Sequence, residues 1–358
     1  MKNVCIATFC EWTSYGSVMQ AIGLKEALSR LNLDSFIVRD VPAPSVPQNS
    51  PAVFSKNPRT LVKNLLDKKL FAQRCIAYQR AIRFIEQHMD VRYFDDYRIL
   101  KRYPPEADYY LAGSDQVWHP AVCKPAFFLD FAPKDKPRLS YAASMGTTVV
   151  PEEKQSTFRQ LLSGIDRISV READMKPVIA QYADKDIEVH IDPSLLVNRA
   201  YWKKLAEEYP IGKPYILVYA IYWDKTLNKE LKALHRRTGF EIVVLCQNGV
   251  SSVWATRKIH DAGPGQFLYL IDHAGGIVTS SFHGTAFGLN FGKKLAAVIN
   301  PSAPSRISSL LDTLGVPRIP ISKLMDFDQK CYGTIYRRLE EERARSMCYL
   351  KEIFAADE

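Results

Sequence analysis

The sequence predicts an α/β protein of two domains, each built on a parallel sheet with helices on both faces, that meet at a cleft. Apolar runs typical of buried strands alternate with amphipathic runs typical of helices, which is the pattern of parallel sheets. A polar stretch at residues 198–213 divides this alternation into two series. The length of 358 residues suits two domains better than a single hydrophobic core.

The first series begins with a strand at residues 4–9 and an amphipathic helix at residues 17–31. Further strands are predicted at residues 35–39, 109–112, 138–144, 165–170 and 188–191, and a further helix at residues 172–182. The proline-rich run at residues 41–51 excludes a helix and a central strand there. We expect this series to form an N-terminal domain, residues 1–195.

The second series predicts a C-terminal domain, residues 196–328, and a closing helix. Its strands are expected at residues 215–222, 240–246, 276–280 and 294–299, and its helices at residues 224–238, 266–274, 283–291 and 305–314. The charged segment at residues 329–358 is expected to form a helix that crosses back onto the N-terminal domain. The cleft then lies between the carboxyl ends of the strands of both sheets.

Composition excludes several classes of protein. A hydrophobic content of 47% and a charged content of 24% are those of an ordinary soluble protein. No apolar run approaches the roughly 18 residues of a membrane span, and the N-terminus lacks the features of a signal peptide, so a cytoplasmic location is expected. Seven scattered cysteines without a CxxC pair argue against a zinc cluster or a disulfide framework. We therefore predict no metal.

The net charge of +9 is concentrated in part at residues 56–83, where leucines recur at helical spacing among lysines and arginines. This pattern predicts a basic amphipathic helix. Its polar face is either simply solvated or a docking surface for anionic lipid headgroups. Nucleic acid is disfavoured as a partner, because the basic residues are not interleaved with stacking aromatics or a recognisable module.

The strongest local signal is the run GGIVTSSFHGTAFGLNFGKKLAAVI at residues 275–299. An apolar strand leads through Ser281 to His283, and Gly284 and Thr285 then open a helix. The N-terminus of a helix offers unpaired N–H groups and a positive dipole end, which suit an anion. A lone histidine is more often a satisfied core residue, but its coincidence with the strand end and the helix start favours a functional role.

Two arginines lie at similar positions between a strand and a helix. Arg171 follows the strand-like run ISV, and Arg306 lies in NPSAPSRISSLL at residues 300–311. An arginine there can hold a carboxylate or a phosphate through two parallel hydrogen bonds. The alternative for Arg171 is a surface ion pair that contributes little, and for the second segment ordinary helix capping.

Two loops of the N-terminal half predict a binding surface. The turn in YYLAGSDQVWHP presents Ser114, Asp115, Gln116 and Trp118, and an acid, an amide and an indole together suit a sugar. A turn in which Asp115 only bonds the backbone is the alternative. The loop EWTSYGSVMQAIGL at residues 11–24 is weaker, since it contains neither GxGxxG nor a P-loop, but it suits a phosphate or diphosphate.

At this point the sequence resembles the polysaccharide pyruvyltransferase family. The stretches SYGSVMQAIGL, AGSDQVW, SYAASMG, SVREADM, IDPSLL and SSFHGTAFGLNFGK occur in the family's order and span residues 14 to about 316. The resemblance implies a glycosyltransferase-B-like fold of two Rossmann-like domains. It also implies phosphoenolpyruvate as a co-substrate, a saccharide acceptor bound on the N-terminal side, donor binding on the C-terminal side, and no other cofactor.

The resemblance implies donor binding by Arg171 and His283, with Ser281, Gly284 and Thr285 beside them. Many members carry Arg-Leu-His where this chain has Ser281-Phe282-His283, so Arg306 is our candidate for the missing arginine. The acceptor is expected to contact residues of the two N-terminal loops: Tyr15, Gly16, Ser17, Gln20, Ser114, Gln116 and Trp118.

Forming a pyruvate ketal requires protonation of the donor at C3, attack by two sugar hydroxyls at C2 and departure of phosphate. We predict His283 as the general acid, because an unperturbed histidine pKa of about 6.5 suits proton transfer near neutrality. Asp115 or Asp192 is the predicted base, although Asp192 in HIDPSLL equally suits a turn or a helix cap.

The acceptor implied by the resemblance is an oligosaccharide linked to polyprenyl diphosphate, at the inner face of the cytoplasmic membrane, in capsule or exopolysaccharide synthesis. Two other readings stay open. One is a nucleotide-sugar glycosyltransferase or epimerase of the same fold, which UDP or GDP would stabilise. The other is a non-catalytic saccharide- or membrane-binding protein that has lost its donor site.

Overall fold

The computed structural model describes residues 2–44, 68–246, 252–301, 305–328 and 331–355. Its first sheet is parallel and has the strand order β3-β2-β1-β4-β5. The strands are β1 (Asn3–Ala7), β2 (Asp34–Arg39), β3 (Val91–Tyr93), β4 (Tyr109–Ala112) and β5 (Arg138–Ser140). Every residue of β4 is buried, as expected of a strand covered on both faces.

Two further strands, β6 (Ile168–Val170) and β7 (Ile187–Val189), continue this sheet beyond β5. They join it through the isolated bridges of Leu139 with Arg167 and of Ala143 with Val170. The predicted strand at residues 138–144 ends early, because Ala142 adopts a positive φ of 48° that an extended strand does not allow.

The helices of this half are α1 (Tyr15–Ser29), α2 (Lys68–His88), α3 (Tyr97–Arg102), α4 (Glu152–Ser163), α5 (Lys176–Ile179), α6 (Pro193–Leu196) and α7 (Arg199–Lys204). Two 3₁₀ turns, Pro125–Phe128 and Ala173–Met175, accompany them. The helix predicted at residues 172–182 is therefore wrong as one element. Pro177 has no N–H to donate, so a continuous helix would lack one of its hydrogen bonds there.

The second sheet repeats the topology of the first, with the parallel order β10-β9-β8-β11-β12. Its strands are β8 (Tyr215–Tyr219), β9 (Glu241–Leu245), β10 (Arg257–Ile259), β11 (Gly276–Thr279) and β12 (Leu295–Ala297). Its helices are α8 (Lys225–Thr238), α9 (Pro264–His273), α10 (Phe282–Asn290) and α11 (Ser305–Leu314), followed by the 3₁₀ turn Ile321–Asp326.

The strand order places a binding crevice in each sheet. In the first sheet the order reverses between β1 and β4, and in the second between β8 and β11. Ligands of open α/β sheets bind beyond the carboxyl ends of the strands at such a reversal. The segments that follow these four strands are therefore the expected walls of the site.

The last helix, α12 (Tyr332–Ala355), crosses back to the first sheet. The Tyr349 hydroxyl donates to the carbonyl of Ser140 at 3.1 Å, and the Tyr109 hydroxyl donates to the carbonyl of Phe354 at 3.0 Å. The predicted fold class is confirmed: two Rossmann-like sheets face a cleft and a C-terminal helix returns to the first of them. The domain limits at 195/196 and 328/329 stay predictions.

The basic segment lies only partly within the described residues. Residues 56–67 fall outside them, and the remainder forms α2. Lys68 and Lys69 are exposed, whereas Arg80 donates to the carbonyl of Asp261 at 2.7 Å and so links α2 to the second sheet's side of the molecule. Among the helices described here, none combines the length and the apolarity that crossing a bilayer requires.

Candidate functional site

A cavity of about 360 Å³ lies where the carboxyl ends of the two sheets face each other. Its walls come from the segments after β1, β4, β8 and β11 and from the first turn of α11. The lining residues are Ser14, Asp115, Tyr219, Ala220, Ile221, Trp223, Ser281, Phe282, His283 and Arg306. The two reversals of strand order therefore contribute to one site.

Two helix N-termini converge on this cavity. Ser14 caps α1 through its hydroxyl, which accepts from the N–H of Ser17 at 3.3 Å, and Ser281 caps α10 by accepting from the N–H of Gly284 at 3.3 Å. Each N-terminus carries a partial positive charge, so both favour an anion between them. Together they offset part of the negative charge that Asp115 brings to the cavity.

Gly16 and His283 form the contact between these two helices. A Cβ atom added to Gly16 would lie 2.1 Å from Nδ1 of His283, so only glycine leaves room for the imidazole. The hydroxyl of Tyr15 donates to the carbonyl of Ala262 at 2.8 Å across the same junction. The predicted acceptor contacts of Gly16 and Tyr15 are therefore replaced here by contacts between the two halves of the molecule.

His283 lies on the wall of the cavity with 9% of its side chain exposed. Its Nε2 faces Oδ2 of Asp192 at 3.5 Å, which is ion-pair distance. Asn290, at the other end of α10, donates to the carbonyls of Ser194 and Val197 at 3.1 and 2.9 Å. These bonds dock α10 on the segment that follows Asp192, so the imidazole and the carboxylate are held together.

Asp192 is a buried carboxylate with several donors. Its Oδ1 accepts from the N–H of Ser194 at 2.9 Å, and its Oδ2 accepts from Nη1 of Arg171 at 2.8 Å and from the Ser114 hydroxyl at 3.2 Å. Burial alone raises the pKa of Asp192, but His283 and Arg171 hold that pKa well below its usual range. Such a carboxylate is a weak base without access to the cavity, so the prediction of Asp192 as the proton acceptor is corrected to an orienting role.

Arg171 lies behind the cavity wall. Its Nε donates to Glu172 at 2.8 Å, and its guanidinium lies 4.0 Å from the centre of the Phe282 ring. Burial lowers the pKa of Arg171, but the charges of Glu172 and Asp192 raise it above the ordinary value. Only Nη2 lacks a partner among the described residues, so most of the predicted donor grip is already occupied by carboxylates.

Arg306 differs from Arg171 in lining the cavity itself, and it also borders an adjoining cavity of about 80 Å³. Its buried Nε has no partner among the described residues. In the amide orientation that satisfies both groups, the Gln116 oxygen accepts from its Nη1 at 2.9 Å and its Nη2 at 3.3 Å. Burial and the charge of Arg171 lower the pKa of Arg306. An anionic ligand would relieve both effects.

Asp115 lies where this cavity meets a second cavity of about 300 Å³, and it borders both. Its φ of 69° is in the left-handed region, which aspartate tolerates better than most residues. Its Oδ1 accepts from the N–H of Gln116 at 2.9 Å, which is the turn interaction that the sequence offered as the alternative. Asp115 therefore makes the hydrogen bond of the turn and also borders the cavity.

Several predicted acceptor residues are instead part of the framework. The Trp118 side chain is fully buried, stacks on Phe128 and donates to the carbonyl of Phe127 at 3.1 Å, so it has no face to offer a sugar. Gln20 is also fully buried and donates to the carbonyl of Phe9 at 2.8 Å. The Ser114 hydroxyl donates to Oδ2 of Asp192 at 3.2 Å. These three predicted contacts are corrected.

Ser17 and Gln116 border the second cavity, whereas the small residues of α10 have internal roles. A Cβ at Gly284 would lie 2.2 Å from Oγ1 of Thr279, so this glycine allows helix and strand to pack and does not face a ligand. The hydroxyl of Thr285 donates to the carbonyl of Ser281 at 3.0 Å. Direct donor contacts by Gly284 and Thr285 are therefore corrected, and Ser281 keeps a position on the cavity wall.

Sequence reasoning missed Ser144, Ser14 and Tyr219, and it considered Glu172 only as the partner in the alternative surface ion pair of Arg171. Glu172 and Ser144 hold Arg171 from behind, since Glu172 also accepts from the Ser144 hydroxyl at 3.0 Å. Ser14 and Tyr219 line the cavity. Ser14 had a signal, a serine directly before a helix, and Glu172 directly follows Arg171 in sequence. Within the described ranges, no group of three or more His, Cys, Asp or Glu side chains is arranged to hold a metal ion.

The fold resembles that of solved sugar-nucleotide enzymes. UDP-GlcNAc 2-epimerase of Neisseria meningitidis, bound to UDP-GlcNAc, is 12% identical, has a TM-score of 0.51 and aligns over 99% of this chain and 100% of its own. MnaA of S. aureus with UDP is 12% identical, with a TM-score of 0.53 over 94% and 91% of the two chains. A Listeria monocytogenes protein assigned to the same epimerases is 11% identical, with a TM-score of 0.56 over 99% and 96%. At these identities the likeness concerns the fold alone.

Comparison of sequences, unlike that of folds, identifies one family. None of the curated proteins is significantly similar in sequence to this chain. A sequence model described as polysaccharide pyruvyl transferase matches residues 15–302. That range contains the cavity residues from Tyr219 to His283 and the whole Asp192–Arg171 cluster, and it ends just before Arg306.

Proposed function

The chain belongs to the polysaccharide pyruvyl transferase family, and we propose that it transfers the pyruvyl group of phosphoenolpyruvate to two hydroxyls of a saccharide, forming a cyclic ketal and releasing phosphate. One observation carries this proposal: the cavity joins two helix N-termini with the imidazole of His283 and with the guanidinium of Arg306, whose buried Nε lacks a hydrogen-bond partner among the described residues. Buried polar groups are normally satisfied, so such a set points to an anionic ligand that supplies acceptors.

The donor carries a carboxylate and a phosphate, and the cavity suits both. Arg306 offers a guanidinium next to the N-terminus of α11, and the N-termini of α1 and α10 add partial positive charge. In a site shielded from water, fixed charges of this kind stabilise a developing charge more strongly than in solution. We assign the phosphate to Arg306 and His283.

The chemistry then follows from three proton transfers. His283 donates a proton to C3 of the donor, which becomes a methyl group and leaves C2 electron-deficient. One sugar hydroxyl adds to C2 while Asp115 accepts its proton. The second hydroxyl replaces phosphate at C2 and closes the ring, and its proton leaves with the phosphate. General acid–base steps of this kind contribute about 10²–10⁴-fold to a rate.

Asp192 and Arg171 support this chemistry without touching the substrate. The Asp192 carboxylate, 3.5 Å from Nε2, orients the imidazole of His283. Arg171 in turn holds Asp192 and packs against Phe282, the residue before His283. The order Arg171, Asp192, His283 is thus a chain of positioning contacts that ends at the cavity.

We further propose that the acceptor is a saccharide on polyprenyl diphosphate, used in capsule or exopolysaccharide synthesis at the inner face of the cytoplasmic membrane. The exposed Lys68 and Lys69 at the start of α2 support contact with anionic lipid. Sedimentation with phosphatidylglycerol vesicles tests this contact. Binding that is unchanged when both lysines are replaced by glutamine would remove α2 as the docking surface.

The function is tested by incubating the protein with phosphoenolpyruvate and a panel of lipid-linked and aryl glycosides. Released phosphate and the mass gain of a pyruvate ketal on one glycoside, in equal amounts, are the expected result. His283→Ala should lower kcat by about 10²–10⁴-fold. The matched control is His273→Ala, which removes an exposed histidine outside the cavity. Thermal stabilisation by UDP but not by phosphoenolpyruvate would overturn the proposal.

A further inference from the structure

A second cavity of about 300 Å³ adjoins the first on the N-terminal side and has a different chemical character. Its lining residues are Phe9, Glu11, Ser14, Ser17, Asp115, Gln116, Val117, His119, Val122 and Phe127. We infer that this cavity is the subsite for the acceptor sugar and takes one uncharged sugar ring. The inference rests on the proposed function, because the proposed transfer needs a saccharide bound next to the donor.

The two cavities share Ser14 and Asp115, which places the subsite next to the reacting groups. A ring bound in the second cavity meets Asp115 at its inner end, and His283 and Arg306 lie beyond it. A carboxylate in that position can accept a proton from a hydroxyl of the bound ring. The shared border therefore joins acceptor and donor at the proposed base.

The lining combines an apolar surface with a polar edge, as sugar sites do. The rings of Phe9 and Phe127 contact each other at 4.6 Å between centroids, with their planes inclined by 53°, and Val117 and Val122 extend the apolar surface. His119 contributes a buried Nδ1 without a partner among the described residues. This arrangement offers an apolar surface to the C–H groups of a ring and a hydrogen-bonding nitrogen to a hydroxyl.

Charge separates the two cavities. Among the described residues, the second cavity is bordered by the carboxylates of Glu11 and Asp115 and by no lysine or arginine, whereas the first includes Arg306. Arg39 pairs with Glu11, and Arg39 does not border the cavity itself. A phosphate or diphosphate is therefore disfavoured here, so the diphosphate of a lipid-linked acceptor lies outside the cavity.

Size limits the occupant further. A volume of about 300 Å³ lies at the lower end of the range for small-molecule sites, which suits one ring and not an oligosaccharide. Val122 is 63% exposed, so it stands where the cavity opens to solvent. The hydroxyl pair that receives the pyruvyl group is therefore expected on a terminal sugar residue, not on an internal one.

The test blocks the entrance of the second cavity with a larger side chain and leaves the lining of the first cavity unchanged. Val122→Trp adds an indole at the cavity entrance, and Val149→Trp is the matched control, because Val149 is 67% exposed and borders neither cavity. The probes are 4-nitrophenyl glycosides of glucose, galactose, mannose and N-acetylglucosamine, followed by saturation-transfer NMR, and phosphoenolpyruvate, followed by calorimetry.

We expect Val122→Trp to weaken binding of the preferred glycoside at least tenfold and to leave the phosphoenolpyruvate Kd within twofold. Val149→Trp should change neither value. Equal glycoside binding by both variants, a parallel loss of phosphoenolpyruvate binding in Val122→Trp, or no glycoside binding by the unaltered protein would each overturn the subsite. Glycoside binding that Val122→Trp abolishes, without any ketal formed by the unaltered protein, would keep the subsite and refute the proposed transfer.

Discussion

The carboxyl edges of the two sheets each carry an arginine near the cavity, and the two arginines differ in their surroundings: Arg171 is buried, whereas Arg306 is half-buried. Arg171, at the end of β6, is held by Glu172 and Asp192 at 2.8 Å each. Arg306, at the start of α11, makes no ion pair with a carboxylate among the described residues and borders the cavity. A charge removed from water needs a partner, and two carboxylates supply it to Arg171, whereas Arg306 meets the neutral amide of Gln116.

The two arginines therefore have different functions, although their sequence patterns are alike. Arg171 is a positioning residue that carries Asp192, and through Asp192 it holds His283. Arg306 borders the cavity and is available to a ligand, and burial together with the charge of Arg171 lowers its pKa although the charges of Asp115 and Glu172 act in the opposite direction. The variants below test this contrast, beginning with the largest expected effect.

Arg171→Ala should destabilise the fold by about 3–5 kcal/mol, because it leaves Glu172 and Asp192 buried without their shared cation. Urea unfolding followed by circular dichroism measures this loss. Arg306→Ala is the comparison and should lose less than about 1 kcal/mol, since no carboxylate depends on it. Equal losses for both variants would erase the distinction between the two arginines.

Arg306→Ala should instead weaken phosphoenolpyruvate binding by about 10–100-fold, the effect of losing one or two hydrogen bonds to a charged group. Isothermal titration calorimetry gives the Kd. Arg318→Ala is the control, because this exposed arginine, beyond the end of α11, pairs with Asp312 of that helix and lies outside the cavity. An unchanged Kd in Arg306→Ala would show that the donor is held elsewhere.

Gly16→Ala tests whether the imidazole must stay between the two helices. The added methyl group meets His283 and should displace it from Asp192, lowering kcat by roughly tenfold through misplacement alone. Gly333→Ala, where a Cβ meets nothing within 4 Å, is the control. Full kcat in Gly16→Ala, together with a crystal structure that shows the imidazole displaced, would contradict the catalytic role of His283.

The smallest expected effect is a pH dependence of stability. It comes from a residue on the same side of the site as Arg171. His190, two residues before Asp192, is buried, and burial together with the nearby Arg345 lowers its pKa from 6.5 to about 4. The groups that face it are Ser346 at 3.2 Å, Glu188 at 3.1 Å and the Tyr349 ring.

The unfolded chain therefore binds more protons than the folded one between pH 6.5 and about 4. Stability that is complete above pH 6.5 should decline by about 1 kcal/mol as the pH falls through this window, after allowance for solvent screening. Unfolding midpoints of the unaltered protein and of His190→Gln, compared across this range, measure the effect. If both midpoints change in parallel, His190 is not the titrating group.

Much of the fold could be predicted from the sequence, because buried parallel strands are continuous apolar runs. Strand β4 coincides with its prediction, and α11 matches residues 305–314. The short elements were missed: β3 has only three residues and is not fully buried, so no apolar run marks it. Helix α6 has only four residues, too few to show a periodicity, but the helix-capping alternative offered for Asp192 is confirmed.

The sequence indicated which residues lie near the cavity, but not the direction in which their side chains point. The rule that ligands bind at strand ends correctly brought His283, Arg306 and Asp115 to one cavity. It gave no information on which way a side chain turns. Trp118 turns inward because the left-handed Asp115 redirects the chain after β4, and Arg171 meets an acid 21 positions later in the sequence. The second cavity joins Phe9 to Phe127 across separate loops, which a local pattern does not encode.

The most direct measurement is a crystal structure of the protein soaked with phosphoenolpyruvate. The account predicts the phosphate within hydrogen-bond distance of Arg306 and of the imidazole of His283, with Arg171 still bound to Asp192 and Glu172. Phosphoenolpyruvate found outside this cavity, or held by Arg171 in place of its two carboxylates, would contradict it.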